Sequence, residues 1–226
     1  MKILQIILFL SLATYVGMSQ DDSTKYVEYT PDYKYTDGIF LSFDQVKKNQ
    51  PVSIDKIITK EDYNDATFFK NLVKEEVIAV FDNNGMRKEI KPGDVWGYAK
   101  MGVLYINYND EFNRIPVVGS IAHFVSNYTI ENSRAPDYAY NPYYYNDPYR
   151  HLNNRTYATK EMRQYLIDWE SGDVYYYEWK SLKVLLMRDP ELYEEYNNLK
   201  KRKQKKLVFF YLRRFNERNP LMVPLL

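Results

Sequence analysis

Residues 77–90, Val77-Ile-Ala-Val-Phe-Asp-Asn-Asn-Gly-Met-Arg-Lys-Glu-Ile90, decide the fold. An apolar run, Val77 to Phe81, and the segment Met86 to Ile90 flank Asn83, Asn84 and Gly85. Asn and Gly tolerate the positive φ angles of a tight reversal, so the stretch predicts an antiparallel hairpin. Pro92, Gly93 and Asp94 mark the next turn. Val95 to Ala99 then leads through Met101 and Gly102 into Val103 to Tyr108, a second antiparallel pair, and Phe112 to Val118 and Ser120 to Ile130 continue the meander. Trp96 and Tyr98, two apart, are expected on one strand face and in the core.

Upstream of the hairpin, Ile39 to Leu41 reads as a short strand. Ser42 with Gln45 gives a capping-box start for a helix ending near Asn49 and Pro51. Ser53 to Thr59 reads as a second strand, and Phe68, Phe69, Leu72 and Val73 keep helical spacing within Thr67 to Lys74. Downstream, residues 131–158 hold Pro136, Pro142 and Pro148 among Asn, Asp and Tyr and show neither period, so a long loop is expected. A last hairpin, Tyr165 to Trp169 and Val174 to Tyr177, turns on Ser171, Gly172 and Asp173. The chain then becomes helical over 178–218. Leu182, Leu185 and Leu186 start the stripe, Asp189-Pro190 is an N-cap with Pro at the first helical position, and Leu192, Tyr193, Tyr196 and Leu199 follow. Val208, Tyr211, Leu212 and Phe215 line a last helix that Asn219 and Pro220 end. The expected class is α+β: an antiparallel sheet or small open barrel first, helices last.

The first residues speak to location. Lys2 precedes an apolar run from Ile3 to Ala13, and Gly17, Met18 and Ser19 stand before the polar Gln20, Asp21 and Asp22. This is the pattern of a secretory signal peptide over 1–19, cleaved near Ser19. The run is about half the ~20 residues a bilayer span needs, so no transmembrane segment is expected in the mature chain. Residues 20–36 read as a flexible lead-in, and 37–226 as one α+β domain. The expected location is the periplasm or the medium.

Composition narrows the chemistry. Of 226 residues, 45% are hydrophobic and 24 are tyrosine, enough to build a core. There is no cysteine, which removes disulfides, thiolate catalysis and thiol-bound zinc together. Between Lys200 and Arg218 nine basic residues face Glu217 alone, a net of +8, against a net of −8 over residues 20–199. Such a split means either an acidic body neutralised by its own tail or a tail that seeks anionic partners.

Several motifs resemble those of uncharacterised exported proteins of Gram-negative bacteria: Ile39-Phe-Leu-Ser-Phe43, Val95-Trp-Gly-Tyr98, Phe112-Asn-Arg-Ile115, Gly119-Ser-Ile-Ala-His-Phe124, and Leu192-Tyr-Glu-Glu-Tyr196 through Phe215-Asn-Glu-Arg-Asn-Pro220. The resemblance spans nearly the whole mature chain. It implies an envelope or secreted protein of unassigned function and brings no catalytic residues with it.

Catalytic signatures are absent: there is no HExxH, GxSxG, Walker loop or dinucleotide GxGxxG, and no cofactor is expected. Ser120 and His123 invite a nucleophile-and-base reading, but three apart in a strand they face opposite sides. His151 with Asp137 and Asp147 lacks metal-ligand spacing, so no metal is assigned. The reading is therefore a non-enzymatic envelope or secreted protein. Its expected binding surface is Tyr138, Tyr140, Tyr143, Tyr144, Tyr145 and Tyr149, whose rings suit a protein or glycan partner; the plainer account folds them over the sheet as a lid. Two alternatives stand beside it. One is a carboxylate-dependent hydrolase of cell-envelope glycans. The other is a peripheral membrane protein held by Lys200, Lys201, Arg202, Lys203, Lys205 and Lys206 with the apolar stretch Leu207 to Tyr211, although a solvated helix packed by its apolar side explains the same residues. Export argues against a nucleic-acid partner. Lys206 to Phe210 also resembles the central apolar segment of the amyloid-β peptide, an aggregation hazard if its helix melts.

Overall fold

The computed structural model describes residues 25–82, 84–133 and 156–225. Along the chain come β1 (Tyr26–Glu28), β2 (Gly38–Phe40), α1 (Phe43–Lys47), β3 (Val52–Ser53), β4 (Ile57–Ile58), α2 (Phe68–Leu72), β5 (Ile78–Phe81), β6 (Arg87–Ile90), β7 (Gly97–Lys100), β8 (Val103–Tyr108) and β9 (Glu111–Arg114). They are followed by β10 (Ile121–Ser133), β11 (Thr156–Asp168), β12 (Val174–Tyr176), α3 (Trp179–Leu185), α4 (Pro190–Asn197), α5 (Lys201–Lys206), α6 (Val208–Arg218) and β13 (Met222–Pro224). The class is α+β, with antiparallel sheets first and helices near the C-terminus, and no barrel closes among the described strands.

The hairpin of residues 77–90 forms as β5 and β6, paired from Ile78 with Ile90 to Phe81 with Arg87. Its reversal rests on Asp82 as well as on the Asn-Gly pair. The Asp82 carboxylate accepts from the N–H groups of Asn84 at 2.8 Å and Met86 at 2.9 Å, while Gly85 takes the positive φ of +75°. The expected strand Ser53 to Thr59 is instead two. A 3-10 turn at Ile54–Lys56 makes a corner, so β3 pairs with β2 and β4 pairs with β5 in a different sheet. The capping box at Ser42 forms as expected: Ser42 accepts from the Gln45 N–H, and the Gln45 side chain reaches back to the Leu41 N–H at 2.7 Å.

The layers follow from strand alternation. A five-stranded sheet, β3-β2-β7-β8-β9, turns Ile39 and Tyr98 toward β4, β5 and α2, where the Tyr98 ring stacks on Phe69 at 4.4 Å and on Tyr105 at 4.7 Å. Its other face, Phe40, Ala99, Leu104 and Ile106, packs on Ala122, Phe124, Tyr165 and Ile167 of the sheet β10-β11-β12. The alternate residues Ile121 and Leu166 are covered by α3, α4 and α6. Trp96 and Tyr98 therefore do not share a face. Trp96 lies just outside β7, after the 3-10 turn at Pro92–Asp94, and its ring packs with Phe43 on the central cluster, whereas Tyr98 is in the cluster on the opposite face. Period-2 reasoning fails where a turn interrupts the strand.

Two boundaries differ from expectation. Within the stretch 20–36 read as flexible, residues 25–36 are tied down: β1 pairs with β13, Tyr29 N–H donates to Leu221 at 2.7 Å, the Tyr33 hydroxyl donates to the Pro224 carbonyl, and Tyr35 is buried. Polar residues hide this anchoring, because the burying groups are tyrosine rings meeting edge to face. The expected loop 131–158 is also shorter. Register pairs continue to Ser133 with Thr156, since ladder hydrogen bonds need no apolar alternation. Residues 1–19, Tyr138, Tyr140, Tyr143, Tyr144, Tyr145, Tyr149, His151, Asp137 and Asp147 lie outside the described residues.

Candidate functional site

The helical cap is assembled by buried polar contacts that also position its surface. Asp189 caps α4 by accepting from the Leu192 N–H at 3.1 Å and receives the Arg218 guanidinium at 2.5 and 3.0 Å, joining the start of α4 to the end of α6. Burial alone would raise the Asp189 carboxyl; the Arg218 guanidinium, the Leu192 N–H and Asn219 outweigh it and hold it below the usual carboxylate range. Asn216 accepts from the Ile121 N–H at 2.8 Å and donates to the Ile121 carbonyl at 2.9 Å, so its amide pairs with β10 as a strand residue would. Ser120 donates to the Asn219 carbonyl at 2.7 Å. The motifs Gly119 to Phe124 and Phe215 to Pro220, far apart in sequence, thus meet here.

Against this frame lies α5. Its single buried side chain is Gln204, which donates to the carbonyls of Tyr196 and Asn197 at 3.0 and 3.3 Å while the Tyr196 hydroxyl donates to the Gln204 carbonyl. At 3.6 residues per turn, Arg202 and Lys206 point furthest from Gln204, with Lys203 and Lys205 to either side. Lys200, Lys201, Arg202, Lys203, Lys205 and Lys206 are all exposed. No carboxylate among the described residues lies within ion-pair distance of any of them. The arginines of α6 contrast: Arg213 pairs with Glu217, Arg214 with Glu195 at 2.5 Å, and Arg218 with Asp189 and Glu191.

Aromatic rings border the basic run. The sequence reading put Val208, Tyr211, Leu212 and Phe215 on the stripe of the last helix, and these four are buried. Val208 and Tyr211 face the core, while Phe209 and Phe210 remain 44% and 51% exposed. Trp179 at the start of α3, half-buried, has the ammonium groups of Lys180 and Lys201 each 5.9 Å from its ring centre. Phe209 and Phe210 stood within the apolar stretch the sequence reading named, whereas Trp179 and Lys180 were missed, because their place beside α5 depends on how α3 and α5 pack.

Among the described residues, Ser120 and His123 form no nucleophile-and-base pair. Ser120 is committed to Asn219, while His123 Nε2 lies 3.0 Å from Gln164 Oε1 with its ring against Tyr177. Burial lowers the His123 pKa and the Gln164 contact opposes this. Two adjoining clefts of about 290 and 370 Å³ share Trp169, Leu221 and Met222. The acids that line them, Glu170 and Asp44, are engaged by Arg188 at 2.8 Å and by Lys47 at 3.6 Å. Among the described residues no cluster of three His, Cys, Asp or Glu could hold a metal ion, and no helix is long and apolar enough to cross a membrane.

Fold and site together define a layered antiparallel α+β protein whose helical cap presents cations with no carboxylate partner among the described residues, beside exposed aromatics. The chain belongs to the family of unknown function DUF6563, which it matches over residues 38–219. No curated protein and no solved structure matches it.

Proposed function

We propose that this is an exported, non-enzymatic protein that attaches to an anionic partner through the outward face of α5. The observation that carries the reading is the run of six exposed cations without carboxylate partners among the described residues. Their mutual repulsion is a cost: Lys201 with Lys205 and Arg202 with Lys206 are like-charge pairs four apart. Lys200, Lys201 and Arg202 also stand at the positive end of the helix dipole. An anion offsets both penalties. The apolar run Ile3 to Ala13 and the small residues before Gln20 support export, which places the partner in the envelope or outside the cell and argues against nucleic acid.

Retention on immobilised dextran sulfate tests the reading. The parent should bind at low salt and elute as ionic strength rises. Arg202→Glu with Lys206→Glu should elute at markedly lower salt with the fold intact by circular dichroism. Equal retention of parent and variant would sink the proposal. N-terminal sequencing of the processed protein should begin at Gln20; an intact Met1 would remove export from the account.

A further inference from the structure

We infer, resting on the proposed function, that the anionic partner is a phospholipid bilayer, with the α5 cations on the phosphates and Phe209 and Phe210 entering the headgroup layer. A soluble polyanion makes no use of exposed phenyl rings, whereas an interface takes up both charge and apolar area. The rings are presented rigidly. They lie on the first turn of α6, whose Val208, Tyr211, Leu212 and Phe215 are buried against the sheet. The break at Leu207 sets them directly after Lys205 and Lys206. Trp179, flanked by Lys180 and Lys201, adds the amphipathic ring that favours a membrane-water boundary. Two of the neighbouring carboxylates are ion-paired, Glu217 with Arg213 and Glu195 with Arg214, and the Tyr211 hydroxyl also donates to Glu195.

Charge and aromatic contributions predict separable losses. Each α5 cation removed should lower partition onto an anionic surface about fivefold. Removing both phenyl rings should lower it about tenfold on bilayers alone.

The experiment uses the full protein as the cell processes it, with vesicles of phosphatidylglycerol and phosphatidylcholine, vesicles of phosphatidylcholine alone, and dextran sulfate. The expected result is sedimentation with the anionic vesicles only. Phe209→Ser with Phe210→Ser should bind the vesicles about tenfold more weakly while keeping dextran sulfate retention and parental Tm. Retention on dextran sulfate without vesicle binding, or a Phe double variant that binds vesicles like the parent, overturns the bilayer and leaves the anionic partner standing. Binding to neither overturns both.

Discussion

At the scale of single residues, the cap depends on groups whose neighbours leave no room for replacement. A Cβ on Gly119 would fall 2.5 Å from the Asn216 amide, the same amide that satisfies both backbone groups of Ile121. Asn216→Leu strands that N–H and C=O in a fully buried position, so a loss of about 2–4 kcal/mol is expected. Urea titration should show a lower midpoint with an unchanged slope. Gly119→Ala should move the midpoint in the same direction by displacing Asn216. Asp189 sets a pH dependence. Its carboxyl is held below the ordinary carboxylate range in the folded protein, so it contributes stability above the unfolded value of about 4. That contribution disappears as pH falls from about 4 through the lower folded value. Asp189→Asn should therefore be less stable than the parent at pH 7, and the gap between the two should narrow below pH 4; a constant gap across that range would show that the carboxylate charge is not what matters.

At the scale of elements, α5 is a six-residue helix with strong self-repulsion, hydrogen-bonded to α4 through Gln204, by its side chain and its carbonyl. Such a segment should open before the rest of the cap. Gln204→Leu removes both donors to α4, at a cost of about 1–2 kcal/mol, and amide exchange should accelerate in α5 while the β10 and β11 amides keep their protection. The elements legible in the sequence were those whose signals are local. The hairpin of β5 and β6, the Ser42 capping box and the Asp189-Pro190 start of α4 each declare themselves within a few residues. What was not legible depends on partners far along the chain. Nothing local in Tyr26 to Glu28 announces that β13 lies beside it, and Ile54 to Lys56 gives no sign that the strand changes sheets. The candidate face was half legible. Its cations stand out in composition, but the exposure of Phe209 and Phe210 was fixed only by which residues of α6 met β10. Burial of Val208 also withholds the Lys206 to Phe210 segment from strand pairing while α6 is folded.

At the scale of the whole molecule, the opposed charges of body and tail admitted two explanations, and the folded chain divides them between adjacent helices. The α6 arginines neutralise the body's own acids, through Glu195, Asp189 and Glu191, whereas the α5 cations have no carboxylate within ion-pair distance among the described residues. Charge reversal should then act with opposite signs on the two helices. Arg214→Glu removes the guanidinium from Glu195 and sets a second carboxylate against it, so the protein should lose about 1 kcal/mol. Arg202→Glu places an acid in the first turn of α5, where the helix dipole favours it and Lys206 lies one turn on, so the protein should gain a few tenths of a kcal/mol. The same Arg202→Glu change should weaken attachment to an anionic surface. Paired urea titrations and dextran sulfate elution read both quantities on one preparation. Stability and binding that fall together in Arg202→Glu would mean the α5 cations support the fold; stability that rises as binding falls would mean they are kept for what lies outside it.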